Sequence, residues 1–234
     1  MGDTNRLICI LGMHRSGTSC LTGSLQQAGL FLGNCHTWNP FNQKGNRENQ
    51  DFVDLNDAVL AANDGAWDKP PPQAIWSPEH LERARVLLES NFSESLLGFK
   101  DPRTLLVVDG WKQVFPEIQF VGVVRHPDAV ALSLHNRSGM PRRRALSLWY
   151  AYNRVLIEEY HKSPFPILCF DEDEDVFHEK LDRVIGTLGL DAGDAGTRFY
   201  DEQLRTSNET KRARWRILPR KVKRLYEQLC QLCL

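Results

Sequence analysis

The stretch LICILGMHRSGTSCLTGSL, residues 7–25, joins an apolar run to a glycine-containing loop and then to a helical pattern. A short, continuous apolar run bounded by turn signals reads as a strand buried on both faces. Gly12 and Gly17 let the backbone turn tightly and approach a ligand. Thr18 and Ser19 open a helix whose first N–H groups have no partner inside it, so an anion belongs there. A nucleoside triphosphatase loop also needs a lysine against the outer phosphates and a Ser or Thr that holds magnesium. Here Thr18 stands at the lysine position and the cation moves to Arg15, whose planar fork of donors suits a terminal phosphate or sulfate group. Met13, His14 and Ser16 fill the rest of the loop.

Similar apolar runs recur at 96–100, 118–124 and 165–170, and the first two of these end in or are followed by Lys100 and Arg125 rather than an acidic residue. Between them lie helical patterns at 49–62, 78–92, 143–161 and 175–189, besides the one that follows the loop. Strands alternating with helices imply right-handed crossovers and a parallel sheet. The expectation is an α/β fold: a single domain over residues 1–234 with a central parallel sheet of about four to five strands flanked by helices. Ligands of such sheets bind beyond the carboxyl ends of the strands. The Pro-rich, aromatic stretch at 63–78 reads as a surface loop that could cover the site. The acidic run at 171–175 suits a helix N-terminus better than a metal.

With 41% hydrophobic residues, 25% charged residues and a net charge of -1, the chain has an ordinary globular composition, and no charge bias points to nucleic acid. No apolar run approaches the ~20 residues needed to cross a bilayer. The first residues, MGDTNRL, lack a basic segment followed by an apolar one, which argues against a secretory leader. The expectation is therefore a cytoplasmic protein with no membrane association. The 6 cysteines, at 9, 20, 35, 169, 230 and 233, read as reduced thiols, and Cys230-x-x-Cys233 reads as packing of a last helix. The 7 histidines form no ligand cluster, so no metal site is expected.

A second anion site follows the strand at 118–124. In RHPDAVALS, residues 125–133, Arg125 sits at a strand end, Pro127 suits a first helical turn, and Ser133 lies about two turns further on. Arg125 and Ser133 can converge on one anion.

GMHRSGTS and RHPDAVALS, in this order, resemble the motifs of sulfotransferases that use 3′-phosphoadenosine 5′-phosphosulfate (PAPS). The resemblance extends through GFKDPRT at 98–104, LWYAYN at 148–153 and residues 169–190. Arg15 in the loop is similar to the bacterial and Golgi-type branches. The resemblance implies that Met13, His14, Arg15, Ser16, Gly17, Thr18 and Ser19 hold the 5′-phosphosulfate and that Arg125 and Ser133 hold the 3′-phosphate. It implies metal-independent, in-line transfer of a sulfuryl group to a hydroxyl or amine of a small-molecule or carbohydrate acceptor.

Lys100 stands where the family has its catalytic lysine; the alternative is a strand-ending lysine paired with Asp101. Glu48, after the loop NPFNQKGNREN, is the first candidate for the base, against a helix-capping role, with His14 and Asp51 as runners-up. Arg103 either grips an acidic acceptor or, the preferred reading, closes an ion pair with Asp101. The basic runs at 137–144 and 211–224 read as solvated faces. Part of the second could fold over the donor, with Trp215 beside its adenine. A phosphate-transferring kinase and a non-catalytic nucleotide-binding module are the alternatives. Acceptor identity and oligomeric state are not legible.

Overall fold

The computed structural model describes residues 5–36, 45–92, 95–191, 199 and 217–234. Its centre is a parallel sheet of four strands, β1 (Arg6–Leu11), β2 (Leu96–Lys100), β3 (Gln119–Val124) and β4 (Ile167–Cys169), in the order β2-β1-β3-β4. Every side chain from Leu7 to Leu11 is fully buried, as expected of a strand covered on both faces.

Alternation along the strands assigns each side chain to one of two cores. Ile8 and Ile10, with Val121, Val123 and Leu168, pack against α1 (Thr18–Gln27) and α7 (Glu174–Thr187). Leu7, Cys9 and Leu11, with Leu97, Phe99 and Val124, face the larger core. That core is built by α2 (Gln50–Ala62), α3 (Pro78–Asn91), α4 (Thr104–Val114), α5 (Pro127–Ser138), α6 (Arg142–Lys162) and α8 (Arg220–Leu232).

The strand order decides where a ligand can sit. After β1 the chain builds β2 on one side, then returns through α4 to place β3 on the other. The connections leaving β1 and β3 therefore diverge, which opens a crevice between their carboxyl ends. The loop at 12–17 and Arg125 are the residues that follow those two ends.

The fold differs from the sequence reading in three places. Helix α4 was not singled out: its first turn, TLLVV, has the look of a strand, and its backbone breaks from helical geometry at Val107, φ -128°. Tertiary packing decides the matter, with Trp111 fully buried and its indole N–H donating to Asn56 Oδ1 at 2.9 Å. The run at 165–170 forms a strand only over Ile167–Cys169, since Pro166 has no N–H to give to a ladder. Finally, the stretch at 63–78 is more than a surface loop. Asn63 brackets it by bonding both the N–H and the C=O of Ile75, each at 2.9 Å. Trp76 is buried against the core, donating to the Val107 carbonyl at 3.0 Å.

Helix α8 lays Val222, Leu225 and Leu229 on the core and turns Arg220, Lys221, Lys223 and Arg224 to solvent, the expected face of that basic run. No helix among the described residues is long and apolar enough to cross a membrane.

Candidate active site

The loop after β1 is shaped by left-handed backbone at two points, Arg15 at φ 67° and Gly17 at φ 92°. Gly17 has a second reason to lack a side chain: a Cβ there would lie 2.3 Å from the Phe170 ring. Gly17 is also the N-cap of α1, and no side chain caps that helix, so its first-turn donors face the crevice without a competing carboxylate or hydroxyl. Ser16 is fully buried, and its hydroxyl has no hydrogen-bond partner among the described residues. A buried hydroxyl at a helix N-terminus, in a concave loop, fits an anion that would accept from it.

The second motif meets this loop directly. Arg15 Nε donates to Ser133 Oγ at 2.8 Å, and Arg125 Nη1 donates to the Arg15 carbonyl at 3.2 Å. Arg125 and Ser133, expected to converge with each other, thus converge on Arg15. Arg125 is also held from behind. Its guanidinium lies over the Phe170 ring at 5.5 Å, its Nε is 3.8 Å from Asp171, and its carbonyl accepts from the Trp149 indole at 2.9 Å. Asp171 further accepts from the His126 N–H. His126 caps α5 by accepting from the Asp128 N–H at 3.2 Å, and Arg142 holds the Asp128 carboxylate with a fork of bonds at 2.7 and 3.2 Å. The acidic run after β4 therefore divides: Asp171 braces the arginine motif, while Asp173, Glu174 and Asp175 sit at the N-terminus of α7 as expected.

Lys100 and Glu48 form the third part. Lys100 Nζ lies 2.7 Å from Glu48 Oε1 and 3.4 Å from Ser19 Oγ, with the lysine side chain 1% exposed and the glutamate 16%. Asn46 Nδ2 holds the other carboxylate oxygen at 2.7 Å, while the Asn46 carbonyl accepts from Ser19 at 3.2 Å. Glu48 does not cap a helix: Asn49 caps α2, taking the Asp51 N–H at 3.0 Å. Asp51 itself is exposed in the first turn of α2.

Nor does Lys100 pair with Asp101. The Asp101 carboxylate is fully buried and is bonded by Arg103 at 2.8 Å and Asn56 at 2.9 Å. Arg103 also reaches Asp57 at 2.6 Å. The preferred reading of Arg103 as an ion-pair partner matches this geometry. Burial pushes the Asp101 carboxyl up and Arg103 pulls it back down. Removing Arg103 strands a buried carboxylate, so Arg103→Met is expected to destabilise the fold by about 3 kcal/mol, read by denaturant unfolding.

His14 closes the crevice on its other side. Its ring packs edge-on against Trp67 at 4.9 Å and Tyr152 at 5.9 Å, and Tyr152 donates to the Trp67 carbonyl at 2.7 Å. The loop carrying Trp67 thus packs on His14 of the glycine loop. Burial, with Arg103, Lys100, Arg137 and Arg15 nearby, holds the His14 imidazole well below its ordinary value and so neutral at pH 7. Sequence reasoning missed Trp67, Tyr152, Asn46 and Asp171 as site residues; the aromatic content of 63–78 and of LWYAYN was the only signal for the first two. Trp215 and residues 211–216 lie outside the described residues.

A helix N-terminus, two arginines and a buried Lys–Glu pair at the switch point of a parallel sheet suit the binding of an anionic ligand. The chain belongs to the sulfotransferase family, whose model matches residues 8–170. The sulfotransferase domain of the olefin synthase of Synechococcus PCC 7002 has a similar fold: TM-score 0.61 at 17% identity, over 97% of this chain and 94% of that one. Sulfotransferase STF1 of Mycobacterium tuberculosis H37Rv aligns at TM-score 0.39 and 14% identity, over 96% of this chain and 71% of that one. Shikimate kinase of Bacteroides thetaiotaomicron aligns at TM-score 0.45 and 13% identity, over 79% and 99%. No curated protein matches by sequence. Among the described residues no group of three or more His, Cys, Asp or Glu could hold a metal ion.

Proposed function

We propose that the protein transfers the sulfuryl group of PAPS to a hydroxyl or amine of a small-molecule or carbohydrate acceptor without a metal. The observation that carries this reading is the meeting of the two anion motifs at Arg15, through Ser133 and Arg125. A donor with phosphate groups at both its 3′ and 5′ positions requires two such sites at a fixed separation. The residues present fit it: uncapped α1 donors and the unpartnered Ser16 hydroxyl for the 5′-phosphosulfate, Arg125 and Ser133 for the 3′-phosphate.

The bound donor supplies an activated sulfuryl group, and the chain supplies position, charge and a base. The N–H groups of Ser16 to Ser19 and Arg15 grip the 5′ end, which restricts it to an in-line approach. Glu48 takes the acceptor proton, since a base must lie within hydrogen-bond reach of the attacking atom. Once protonated, Glu48 no longer neutralises Lys100, 2.7 Å away, and the ammonium turns its full charge toward the leaving bridging oxygen. Base and electrostatic stabiliser are thus one coupled pair. His14, held neutral among rings and cations, forms a wall of the acceptor pocket with Trp67 and Tyr152.

Incubation with 35S-labelled PAPS and a panel of phenols, alcohols, amines and sugars, in the presence of a chelator, tests the proposal. Label is expected in at least one acceptor class. Transfer from ATP that requires magnesium, with none from PAPS, would make the protein a kinase instead.

A further inference from the structure

Arg47 stands between Asn46, which holds the Glu48 carboxylate, and Glu48 itself. Its backbone is left-handed, φ 57°, a conformation that a residue with a Cβ keeps only where surrounding contacts over-determine it. Those contacts come from two sides. The Arg47 N–H donates to the His36 carbonyl at 3.0 Å, and the Glu48 carbonyl accepts from the His36 N–H at 2.9 Å. The Arg47 side chain turns to α1, where Nη1 donates to Gln26 Oε1 at 2.8 Å. Its guanidinium carbon lies 5.1 Å from the centre of the Phe199 ring. That ring is seated on the same helix, since a Cβ at Gly23 would lie 2.3 Å from it. Gly23 and Gln26, three residues apart, share one face of α1.

We propose that Arg47 is a positioning residue: it anchors residues 46–48 to α1 and so fixes the Glu48 carboxylate against Lys100. The segment is tied to that helix at two points. Near its start, Ser19 Oγ donates to the Asn46 carbonyl at 3.2 Å; on its last turn, Gln26 takes the Arg47 guanidinium. The two ties stand about two turns apart on the helix, so they set the direction of the segment as well as its place. Arg47 Nε is buried with no hydrogen-bond partner among the described residues, which leaves Gln26 and the Phe199 ring as the hold on the guanidinium.

The choice of α1 as the anchor matters for the reaction proposed above, and the role of Arg47 rests on that reading and on Glu48 as its base. The start of α1 grips the 5′ end of the donor, so one helix sets both the sulfuryl group and the base that receives the acceptor proton. In-line transfer depends on that relation, because a misplacement of about 1 Å can cost about 10²-fold in rate.

Amide hydrogen exchange of the free protein, read by mass spectrometry, tests the anchor without any reaction. Arg47→Met keeps a long unbranched side chain and the same backbone constraint but loses the bond to Gln26 and the charge over the ring. Exchange in the peptides that hold the His36 and Arg47 amides is expected to speed up about tenfold or more, with β1 and β3 unchanged. Gln26→Leu leaves Arg47 in place and reads the anchor even should Arg47→Met not fold. It should give a smaller acceleration of the same amides, and adding it to Arg47→Met should change nothing further, since both remove one contact.

In turnover with 35S-labelled PAPS, Arg47→Met is expected to lower kcat about 10- to 100-fold while affinity for adenosine 3′,5′-bisphosphate stays within about threefold. Arg47→Lys, which keeps a cation for the ring and a donor for Gln26, should recover part of the loss. Unchanged exchange in both variants, or fully additive effects of the two, would overturn the anchor. Accelerated exchange with unchanged kcat, or a loss of bisphosphate affinity as large as the loss of kcat, would overturn the positioning of Glu48. A wild-type chain that transfers no label from PAPS would sink the parent reading and the catalytic part of this one with it, while the exchange result decides the anchor by itself.

Discussion

Glu48→Gln is expected to lower kcat by about 10²- to 10⁴-fold, the usual contribution of a positioned base, with affinity for adenosine 3′,5′-bisphosphate changed by less than about threefold. Glutamine keeps the shape that Asn46 holds at 2.7 Å but cannot take a proton from the acceptor. It also leaves Lys100 without its partner, in a pocket where the lysine is 1% exposed. Lys100→Ala should also reduce kcat, and the double variant should cost far less than the product of the single losses, since the two residues act as one unit. Full additivity would contradict a coupled pair.

Arg125→Ala is expected to weaken adenosine 3′,5′-bisphosphate about 10²-fold or more and adenosine 5′-monophosphate by less than about threefold. Charge-assisted hydrogen bonds contribute about 1.5–3 kcal/mol each, and a buried fork on a phosphate can make two. The guanidinium is fixed before any ligand arrives, by Phe170, Asp171 and the Arg15 carbonyl, so little ordering cost offsets the gain. Ser133→Ala should act in the same direction with a smaller loss, because its hydroxyl also holds Arg15 at 2.8 Å. Equal losses for both nucleotides, measured by isothermal titration, would remove the assignment of Arg125 to the 3′-phosphate.

The sheet was legible because its strands are buried on both faces and so appear as unbroken apolar runs; Leu7–Leu11 and Leu96–Lys100 need no partner to be recognised. The helices that could be read have either a clear cap, as at Ser77-Pro78, or a long amphipathic period, as in α6. Helix α4 has neither, and only the cavity that receives Trp111 selects its conformation. The site divides along the same line. The glycine loop and the segment from Arg125 to Ser133 are each contiguous, so residue type and spacing were enough to single them out as candidates. Pairings across the chain were not legible. Lys100 and Glu48 stand 52 residues apart and Arg15 and Ser133 118 apart, and the register of a loop does not follow from its composition. Cys230-x-x-Cys233 was readable as the end of a helix.

Isothermal titration of the protein with adenosine 3′,5′-bisphosphate and with ADP, each with EDTA and then with magnesium, tests the central claim most directly. The two-site reading predicts that the bisphosphate binds at least tenfold more tightly than ADP and that magnesium leaves its affinity unchanged. Equal affinities, or bisphosphate binding that appears only with magnesium, would contradict it.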